Sequence, residues 1–569
     1  MFTIRVVARR RLRCGLIAAI MSLAVAHTRN VTAKTPALTA AERWVLQKVV
    51  AGEDADLKNQ FLTPSARVIT SSFVRQLLTN DIPGVKVPSY GVQIFNATVT
   101  GDLDLTNQEI PFHLRMQNCD FEGYVTFLSA QFKGSLSFSW SRFHGPADFR
   151  YTTIVGRFDV ENVYFLEGEF EKTDESQEDA GKVQFNYLRV EGPVFLTSAT
   201  FERPVIFYAA GTAGNFEAND VHFKQSANFE LMEVRGHAFF NRAIFEGGAR
   251  FFRVKVTQNF EAEGARFNNE LKEADFEGLN AYAALFRRDQ NKGATIFNGP
   301  VRFYGVNTST NLVLDDAHFN KEVELQNMSI KGDIFLRWAV FNSGADFWGT
   351  TVGQSFDASE TQFKNAKSWI YLADLKADVL DLRGTSFTSR IDLSGLTFRE
   401  VRSAGLQNLS DLIGRAAYDA GTYAALEDYY RRQGNISAAN DVYITRRRRA
   451  RASLSYGAWL IDLMYDGFVG YGRRPGQVII PIVVVLSIGW WMFRNKRLMQ
   501  AQDEKNQCRP YSPIMYSLDL FLPIVDLRAA SIWEPKESRR LAQVYLMFHV
   551  IAGWVLITIF VTAITGIVK

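Results

Sequence analysis

Cysteine is scarce in this chain of 569 residues. Its three cysteines, Cys14, Cys119 and Cys508, lie in three different regions, at no spacing that metal ligands use. This argues against a disulfide framework and against a structural zinc site, since both need grouped cysteines. The seven histidines are also scattered, and none stands four residues from another beside a glutamate.

The sequence motifs of common enzymes are missing too. The chain has no phosphate-binding GxxxxGK[ST] and no GxSxG nucleophile turn. We therefore predict a protein that is not an enzyme, with no catalytic, cofactor-binding or metal-binding residues and no cofactor.

Charge is distributed unevenly along the chain. Residues 101–400 hold 30 Lys and Arg against 42 Asp and Glu, whereas the remainder holds 34 against 18. An acidic body with basic flanks beside apolar segments indicates contact with a membrane surface. It disfavours nucleic acid as a partner, because binding to phosphates needs a basic surface.

A short repeat occupies the middle of the chain. Between about residues 119 and 398 a large apolar residue, usually Phe, recurs every five or six positions. Later members such as Phe319 and Phe341 are 22 residues apart. In the clearest units a small residue precedes the Phe by two positions, with Asp or Asn between them: Ala147-Asp148-Phe149, Ala227-Asn228-Phe229, Ala274-Asp275-Phe276 and Ala345-Asp346-Phe347.

This spacing is also compatible with a helix of 3.67 residues per turn, but the Gly, Thr, Val and Asn content disfavours that alternative. Residues two apart point the same way on extended backbone. We therefore predict a solenoid of short strands and tight turns. Four faces form a coil of about 22 residues, and each large side chain stacks on its equivalent in the next coil.

The Ala-Asp/Asn-Phe units resemble the pentapeptide-repeat family. The resemblance implies a mainly β protein folded as a right-handed, quadrilateral β-helix. The frequent sixth residue and the use of Phe rather than Leu imply a looser, wider coil. Three early segments resemble exported, membrane-anchored members of that family: AGEDADL (51–57), FVRQLLTN (73–80) and GVQIFNATVTGDLDL (91–105).

The start of the chain has the features of an export signal. A charged group of Arg9, Arg10, Arg11 and Arg13 precedes an apolar core of 13 residues, which is too short to span a bilayer, so residues 1–33 are predicted to be a cleavable signal peptide. Residues 34–90 are predicted to form an N-terminal helical cap. It contains a helix over 38–51, with Thr39 as N-cap and Glu42 three residues later, and a second helix over 69–78.

The solenoid is predicted over residues 91–400. Its charged run 171–182 is interpreted as a surface loop, and its irregular stretch 278–292 as a short inserted helix. Residues 401–452 are predicted to form a helical hairpin, from 419–432 and 437–451, which resembles a single tetratricopeptide-like unit.

Residues 453–569 are predicted to form a membrane module. An amphipathic stretch, 454–468, follows a run of arginines that we attribute to the membrane surface. Transmembrane spans are predicted near 476–493 and 544–568. Between them, residues 513–527 are apolar but too broken to cross, which favours an interfacial or re-entrant segment.

Two features of this module suggest ion conduction. Residues 469–472 spell most of a potassium-channel filter, but no pore helix precedes them, so a juxtamembrane turn is favoured. The order span, broken loop, span is that of a two-helix pore module, which some pentapeptide-repeat proteins carry. There Asp519 or Asp526 would lie near the ion path. His549, near one end of the last span, is interpreted as an anchor that reaches the headgroups.

Taken together, the sequence predicts a membrane-anchored, non-catalytic β-solenoid of the bacterial envelope that acts as an interaction or scaffolding surface. It would sit in the inner membrane with a periplasmic solenoid, and its partners would be the lipid bilayer and a protein bound to the acidic surface. Homo-oligomerisation stays open. The alternatives are a subunit of a channel-like pore and, less favoured, a carbohydrate-active β-helix enzyme that uses two carboxylates.

Overall fold

A computed structural model describes residues 38–168, 181–402, 412, 416–503, 509–522, 524–536, 538 and 540–565. The predicted signal peptide, most of the predicted loop 171–182 and the chain after residue 565 lie outside the described residues. The described chain forms a parallel β-solenoid of about 14 turns with helices at both ends, which confirms the predicted solenoid.

From residue 92 onward, each turn of the solenoid places a short strand on each of four faces, which we number 1 to 4 in chain order, and successive turns pair in parallel. Face 1 contains the strands Ala55–Asp56, Val92–Phe95, Leu114–Gln117, Leu136–Ser137, Phe158–Asp159, Val194–Phe195, Phe216–Glu217, Ala238–Phe239, Phe260–Glu261, Ala284–Leu285, Leu312–Val313, Ile334–Phe335 and Ser355–Asp357. Face 2 contains Val68–Thr70, Thr98–Thr100, Asp120–Phe121, Arg142–Phe143, Tyr164–Phe165, Thr200–Phe201, His222–Phe223, Ile244–Phe245, Arg266–Phe267, Ile296–Phe297, His318–Phe319, Val340–Phe341, Gln362–Phe363 and Ser386–Phe387.

Faces 3 and 4 complete each turn. Face 3 contains the strands Leu103–Asp104, Val125–Thr126, Ala147–Asp148, Val183–Gln184, Val205–Ile206, Ala227–Asn228, Ala249–Arg250, Ala274–Asp275, Val301–Arg302, Val323–Glu324, Ala345–Asp346, Trp369–Tyr371 and Arg390–Asp392. Face 4 contains Glu109–Ile110, Gln131–Phe132, Thr153–Ile154, Arg189–Val190, Gly211–Thr212, Glu233–Val234, Lys255–Val256, Asn280–Ala281, Asn307–Thr308, Ser329–Ile330 and Thr351–Val352. Two longer strands, Lys376–Asp381 and Thr397–Arg402, belong to both face 4 and face 1.

The phenylalanines form continuous columns inside the solenoid. On face 2 the second residue of each strand points inward, and from Phe121 to Phe387 the rings stack with centroids 4.7–5.2 Å apart. Partners such as Phe319 and Phe341 pair directly, 22 residues apart. The predicted stacking of equivalent side chains is therefore confirmed.

The Ala-Asp/Asn-Phe units lie on face 3 and the corner that follows it. Ala227 and Phe229 are both buried, while Asn228 between them points outward. Residues two apart lie on the same side of an extended chain, so the small residue and the Phe both point into the solenoid, where the Phe fills most of the interior. This alternation explains why the repeat needs a small residue two positions before each Phe.

Two of the four corners place a residue in the left-handed region once per turn. Asn and Gly often occupy these positions, but Trp140 and Tyr151 also adopt φ values of 66° and 57°. Bulky residues are rare in this region. The pairing of strands on both sides of the corner therefore imposes the turn regardless of local preference.

The stretch 278–292 is not the inserted helix that the sequence predicted. Strands Asn280–Ala281 and Ala284–Leu285 continue faces 4 and 1, and a small loop closes through a bridge between Asp289 and Gly293. The Ala- and Leu-rich composition favours a helix locally, but pairing with both neighbouring turns outweighs this weak preference.

The N-terminal helices are α1 (Ala40–Ala51), α2 (Leu57–Gln60) and α3 (Ser71–Leu78), with a 3-10 turn at Pro64–Arg67. The predicted first helix is confirmed, and Thr39 and Glu42 form a reciprocal capping box. The solenoid begins within the segment predicted as a helical cap, because two strands between the helices already pair with residues 94–95 and 98–100.

Glu42 is buried and ties α1 to the solenoid. Its carboxylate accepts hydrogen bonds from Thr39 N at 2.7 Å, Thr70 N at 2.9 Å and Thr70 Oγ1 at 2.7 Å. Burial raises the pKa of Glu42, but the hydrogen bonds from Thr70 and Thr39 outweigh burial and hold the pKa below its ordinary value of 4.5.

We expect Glu42→Gln to lower the free energy of unfolding by about 1–3 kcal/mol at neutral pH, because charged hydrogen bonds are lost. A depressed pKa stabilises the fold above the unfolded-state value, and this stabilisation is lost as the pH falls through the folded-state value. Thermal unfolding from pH 7 downward should show the difference from wild type shrinking below about pH 4. Glu53→Gln, at an exposed ion pair with Lys48, is the control. An equal effect of both changes at all pH values would contradict the prediction.

The C-terminal helices are α4 (Ala420–Arg432), α5 (Ile436–Ala450), α6 (Tyr456–Val469), α7 (Ile479–Phe493), α8 (Pro513–Phe521) and α9 (Arg540–Thr565). Short 3-10 turns lie at Arg451–Ser453, Pro475–Val478 and Lys496–Leu498, and Met499–Ala501 pairs antiparallel with Trp533–Pro535. Two stretches, Gly476–Phe493 and Arg540–Thr562, are long and apolar enough to cross a membrane.

The helix α4 packs directly on the last turns of the solenoid. The Thr422 hydroxyl donates to the Leu393 carbonyl at 2.6 Å, and the Tyr429 hydroxyl donates to the Val401 carbonyl at 2.9 Å. The hairpin of α4 and α5 is thus joined to the solenoid by buried hydrogen bonds as well as by packing.

Candidate functional site

The junction between the solenoid and the two long apolar helices contains a buried ionic network. Asp462 and Asp466, one turn apart on α6, are each 7% exposed and face the end of α5. Arg451 Nε donates to Asp462 at 2.7 Å, and its Nη2 donates to Asp466 at 2.6 Å. Arg448 holds Asp466 through two bonds, at 2.8 and 2.9 Å, and Arg447 reaches Asp462 at 3.2 Å.

The sixth member of this arginine–aspartate network is Tyr471, in the turn after α6. Its hydroxyl donates to Asp462 at 2.7 Å and accepts from Arg451 at 2.7 Å. Burial raises the pKa of Asp466, but hydrogen bonds from Arg448 and Arg451 outweigh burial and hold the pKa below its ordinary value. Burial, and then the bond to Asp462, raise the pKa of Tyr471. At neutral pH the network therefore consists of charged pairs bridged by a neutral phenol.

The Val-Gly-Tyr-Gly sequence forms this turn and no channel filter. Gly470, Tyr471 and Gly472 have successive φ values of 53°, 54° and 78°, which end α6 and redirect the chain. Side chains are tolerated poorly in this region, which accounts for the two glycines. The phenol of Tyr471 points back into the network.

The arginine run 446–451 has a different role from the one that its sequence suggested. Three of its members bind the aspartates of α6, and Arg449 donates to the Tyr423 hydroxyl at 2.9 Å and the Ala416 carbonyl at 2.8 Å. The run is thus largely engaged inside the chain rather than free for lipid headgroups. The sequence contains a signal for this pairing. Arg447 and Arg451 are four residues apart, as are Asp462 and Asp466, and residues at this spacing lie on the same side of a helix.

The helix α8 lies between the two long helices α7 and α9. Its Ser517 hydroxyl donates to the Leu486 carbonyl of α7 at 3.2 Å. His549 of α9 is fully buried and contacts the Ser517 carbonyl at 2.8 Å and the Tyr545 hydroxyl at 3.2 Å. The prediction that His549 anchors the helix at the headgroups is wrong, because α8 folds back over it and supplies its partner.

Glycines allow these three helices to approach closely. A Cβ added to Gly553 of α9 would overlap the backbone carbonyl of Phe521 at the end of α8. A Cβ added to Gly489 of α7 would overlap the Ser517 hydroxyl and the His549 ring. Small residues at such crossings are typical of helices packed in a membrane.

We expect Gly553→Ala to destabilise this three-helix packing by about 1–3 kcal/mol, because the colliding atom is backbone and can move only if α8 moves. Thermal unfolding of the full chain in detergent micelles measures the change. Gly467→Ala in α6 is the matched control, because a Cβ there meets nothing within 4 Å. The control should be neutral or slightly stabilising. A loss of stability in the control and none at Gly553 would contradict the packing.

Of the two carboxylates proposed for an ion path, Asp519 lies near the end of α8 and Asp526 lies in the loop that follows. Asp519 is 9% exposed and accepts hydrogen bonds from Leu527 N at 2.7 Å and Ala530 N at 2.6 Å. Asp526 accepts from Arg528 N at 2.7 Å. Both side chains thus shape the loop that follows α8.

Face 1 of the solenoid carries a row of acidic and apolar residues, in which Asp159 at one end is buried at 4% exposure and the other four are partly exposed. Successive turns place Asp159, Phe195, Glu217, Phe239 and Glu261 side by side in register. The two phenylalanines are partly exposed, and the His237 ring stacks on Phe239 with centroids 5.3 Å apart. We call these five residues the face-1 row.

Two further titratable groups of the described solenoid have shifted pKa values, one at a corner and one in the core. Glu161 lies at the corner after face 1, and burial, followed by Asp159 and Glu217, raises its pKa. A carboxyl group with a raised pKa beside other carboxyl groups is one of the features that an acid–base glycosidase uses. Cys119 is buried, which raises its pKa to about 12 and keeps it a thiol. Among the residues that the structure describes, no group of three or more His, Cys, Asp or Glu could hold a metal ion.

Comparisons with protein-family models, with curated proteins and with solved structures each found no match. The fold class of this chain is a repeat β-solenoid with a helical C-terminal module.

Proposed function

We propose that this chain is a membrane-anchored, non-catalytic solenoid of the pentapeptide-repeat type, exported to the bacterial envelope, whose face-1 row binds a protein partner. Support for the repeat type comes from the turn of about 22 residues and from the buried Ala and Phe of the face-3 units. Support for anchoring comes from the two long apolar stretches that follow the solenoid. The predicted signal peptide supports export.

The face-1 row is the single observation that carries the binding role. Two of its carboxylates, Glu217 and Glu261, alternate with the partly exposed rings of Phe195 and Phe239 on successive turns, so ionic and apolar contacts are offered side by side. A segment rich in Lys and Arg matches this pattern, because cations pair with carboxylates and also stack on aromatic rings. We therefore propose a basic partner that lies along the row.

A photo-crosslinker at position 239 of the full chain, expressed in cells, tests this proposal. We expect it to capture a basic protein, and we expect the charge reversals Glu217→Lys and Glu261→Lys together to abolish capture. The matched control carries Glu109→Lys and Glu233→Lys on face 4, two exposed acidic residues paired only with surface lysines. The control should capture the partner as wild type does.

Two results would contradict the binding role of this row. One is the absence of any captured protein, and the other is capture that survives the reversals on face 1. Circular dichroism of the charge-reversed chain establishes that the solenoid is intact, since outward substitutions leave the core columns unchanged.

A second candidate function is a subunit of a two-helix pore, favoured by the position of α8 between α7 and α9. A short helix that enters and leaves beside two spans is the arrangement of a pore module. Reconstitution of the full chain in planar bilayers tests it. A conductance changed by Asp519→Asn or Asp526→Asn would support a pore, and absence of conductance in wild type would end this candidate.

A further inference from the structure

The helix α6 is inverted relative to an ordinary surface helix. Its only two charged residues, Asp462 and Asp466, are buried, whereas a broad apolar surface is exposed. We call this surface the α6 apolar face, and it consists of Tyr456, Trp459, Leu460, Ile461, Leu463, Met464 and Tyr465. Ile461 is 70% exposed and Tyr456 is 82% exposed.

An exposed apolar face of this size is expected to be covered by another apolar surface. Soluble proteins rarely expose a large contiguous apolar surface, and a surface helix normally buries its apolar side and exposes its charges. In α6 the arginine–aspartate network keeps the polar side inward, so a simple rotation of the helix cannot bury the apolar face. The cover must therefore come from outside the described fold.

The position of α6 identifies that cover. The turn at Gly470–Gly472 leads directly from α6 to α7, the first of the two long apolar helices. Phe468 and Val469, at the end of α6, pack in the same cluster as Val485 of α7 and Leu556 of α9. The α6 apolar face is thus continuous with the lipid-facing part of the module. Tyr and Trp on this face are the residues enriched where a protein meets the membrane–water interface.

We propose that α6 lies in the plane of the membrane, with its apolar face inserted at the headgroup–acyl boundary and its aspartates clamped from above by the arginines of α5. This inference rests on the membrane anchoring proposed above and adds a second, in-plane contact. Helices of this kind insert about 5–10 Å below the headgroups. Because α4 is bonded to the last turns of the solenoid, the in-plane helix also sets the angle between solenoid and membrane.

Spin labelling of the full chain in vesicles of phosphatidylethanolamine and phosphatidylglycerol tests the insertion. A nitroxide is attached to Cys at position 461, in a chain whose Cys14 and Cys508 are replaced by Ser. Collision with oxygen, which concentrates in lipid, is compared with collision with a water-soluble nickel complex. We expect oxygen to dominate at position 461, and nickel to dominate at position 235, an exposed arginine directly after a strand of face 4.

A label at position 488 separates this inference from the proposed anchoring. Ile488 is exposed on α7 and must face lipid if the chain is anchored. Nickel dominance at 488 would overturn the anchoring itself. Oxygen dominance at 488 with nickel dominance at 461 would overturn only the in-plane helix.

A second copy of the chain is the other cover for the α6 apolar face, and the same samples detect it. Dipolar broadening between labels at position 461 of two chains, with little oxygen contact, would overturn the lipid-facing placement. Ile461→Asp provides an independent test, with the label moved to position 464. We expect the oxygen preference at 464 to be lost, while the label at 488 stays in lipid.

Discussion

Replacing Phe245 with alanine is expected to lower the free energy of unfolding of the solenoid by about 3–5 kcal/mol, the usual cost of removing a buried Phe. Phe245 is fully buried and stacks on Phe223 and Phe267 at 4.9 and 4.8 Å. Alanine would leave a cavity that the neighbouring turns cannot fill, because their strands hold them in place on four faces. Denaturant unfolding of the full chain measures the loss.

The matched control is Phe252→Ala, which removes the same atoms at the surface. Phe252 is partly exposed, and the guanidinium groups of Arg250 and Arg253 lie 5.1 and 4.9 Å from the centre of its ring. We expect it to cost at most about 1 kcal/mol. Because repeats interact mainly with their neighbours, hydrogen exchange in Phe245→Ala should increase most in the adjoining turns. Equal costs at the two positions would contradict the role of the inner columns.

Replacing Arg451 with methionine is expected to destabilise the junction by about 3–5 kcal/mol, the range for breaking a buried ion pair by removing one partner. The side chain of Arg451 is 14% exposed and binds both aspartates of α6 and Tyr471. Methionine preserves much of the volume but removes one charged donor from each of the two buried carboxylates. Hydrogen exchange of α5 and α6, in detergent micelles, measures the local loss.

Arg474→Met is the control for this prediction. Arg474 makes an equally short bond to Asp441, 2.6 Å, but both side chains are about half exposed. Such pairs contribute about 0–1 kcal/mol. Adding Asp462→Asn to Arg451→Met should recover part of the loss, since fewer charges stay unpaired. Because the pKa of Asp466 is lowered in the fold, the stabilisation by the network is present at neutral pH and is lost as the pH falls below about 4. Similar losses for Arg451 and Arg474 would contradict the buried network.

Much of the fold could be predicted because it rests on local periodicity. The columns of Phe follow from spacings of five and six residues, and the start of α1 follows from Thr39 and Glu42, three residues apart. Strand pairing at residues 278–292 could not be predicted from composition, because pairing with the strands of the turns before and after it determines the structure of this stretch. The strand that shortens the second helix to Ser71–Leu78 was missed for the same reason.

The junction was less predictable, because its contacts link elements far apart in sequence. The arginine run was recognised but assigned to lipid, whereas its aspartate partners lie 11 to 18 residues later. His549 was placed at the headgroups from its position in the helix alone. Nothing in α9 indicates that α8 covers it, since the partner Ser517 is 32 residues away.

Labelling of two cysteines on either side of α7 tests the central claim most directly. Leu271→Cys lies on the solenoid and is 92% exposed, and Asp503→Cys lies in the exposed segment after α7. Cells expressing the full chain, with Cys14 and Cys508 replaced by Ser, are treated with a maleimide that reaches the periplasm but does not cross the inner membrane. A membrane-anchored, exported solenoid predicts labelling at 271 in intact cells, and labelling at 503 only after lysis. Labelling of both positions in intact cells, or of neither, would contradict it.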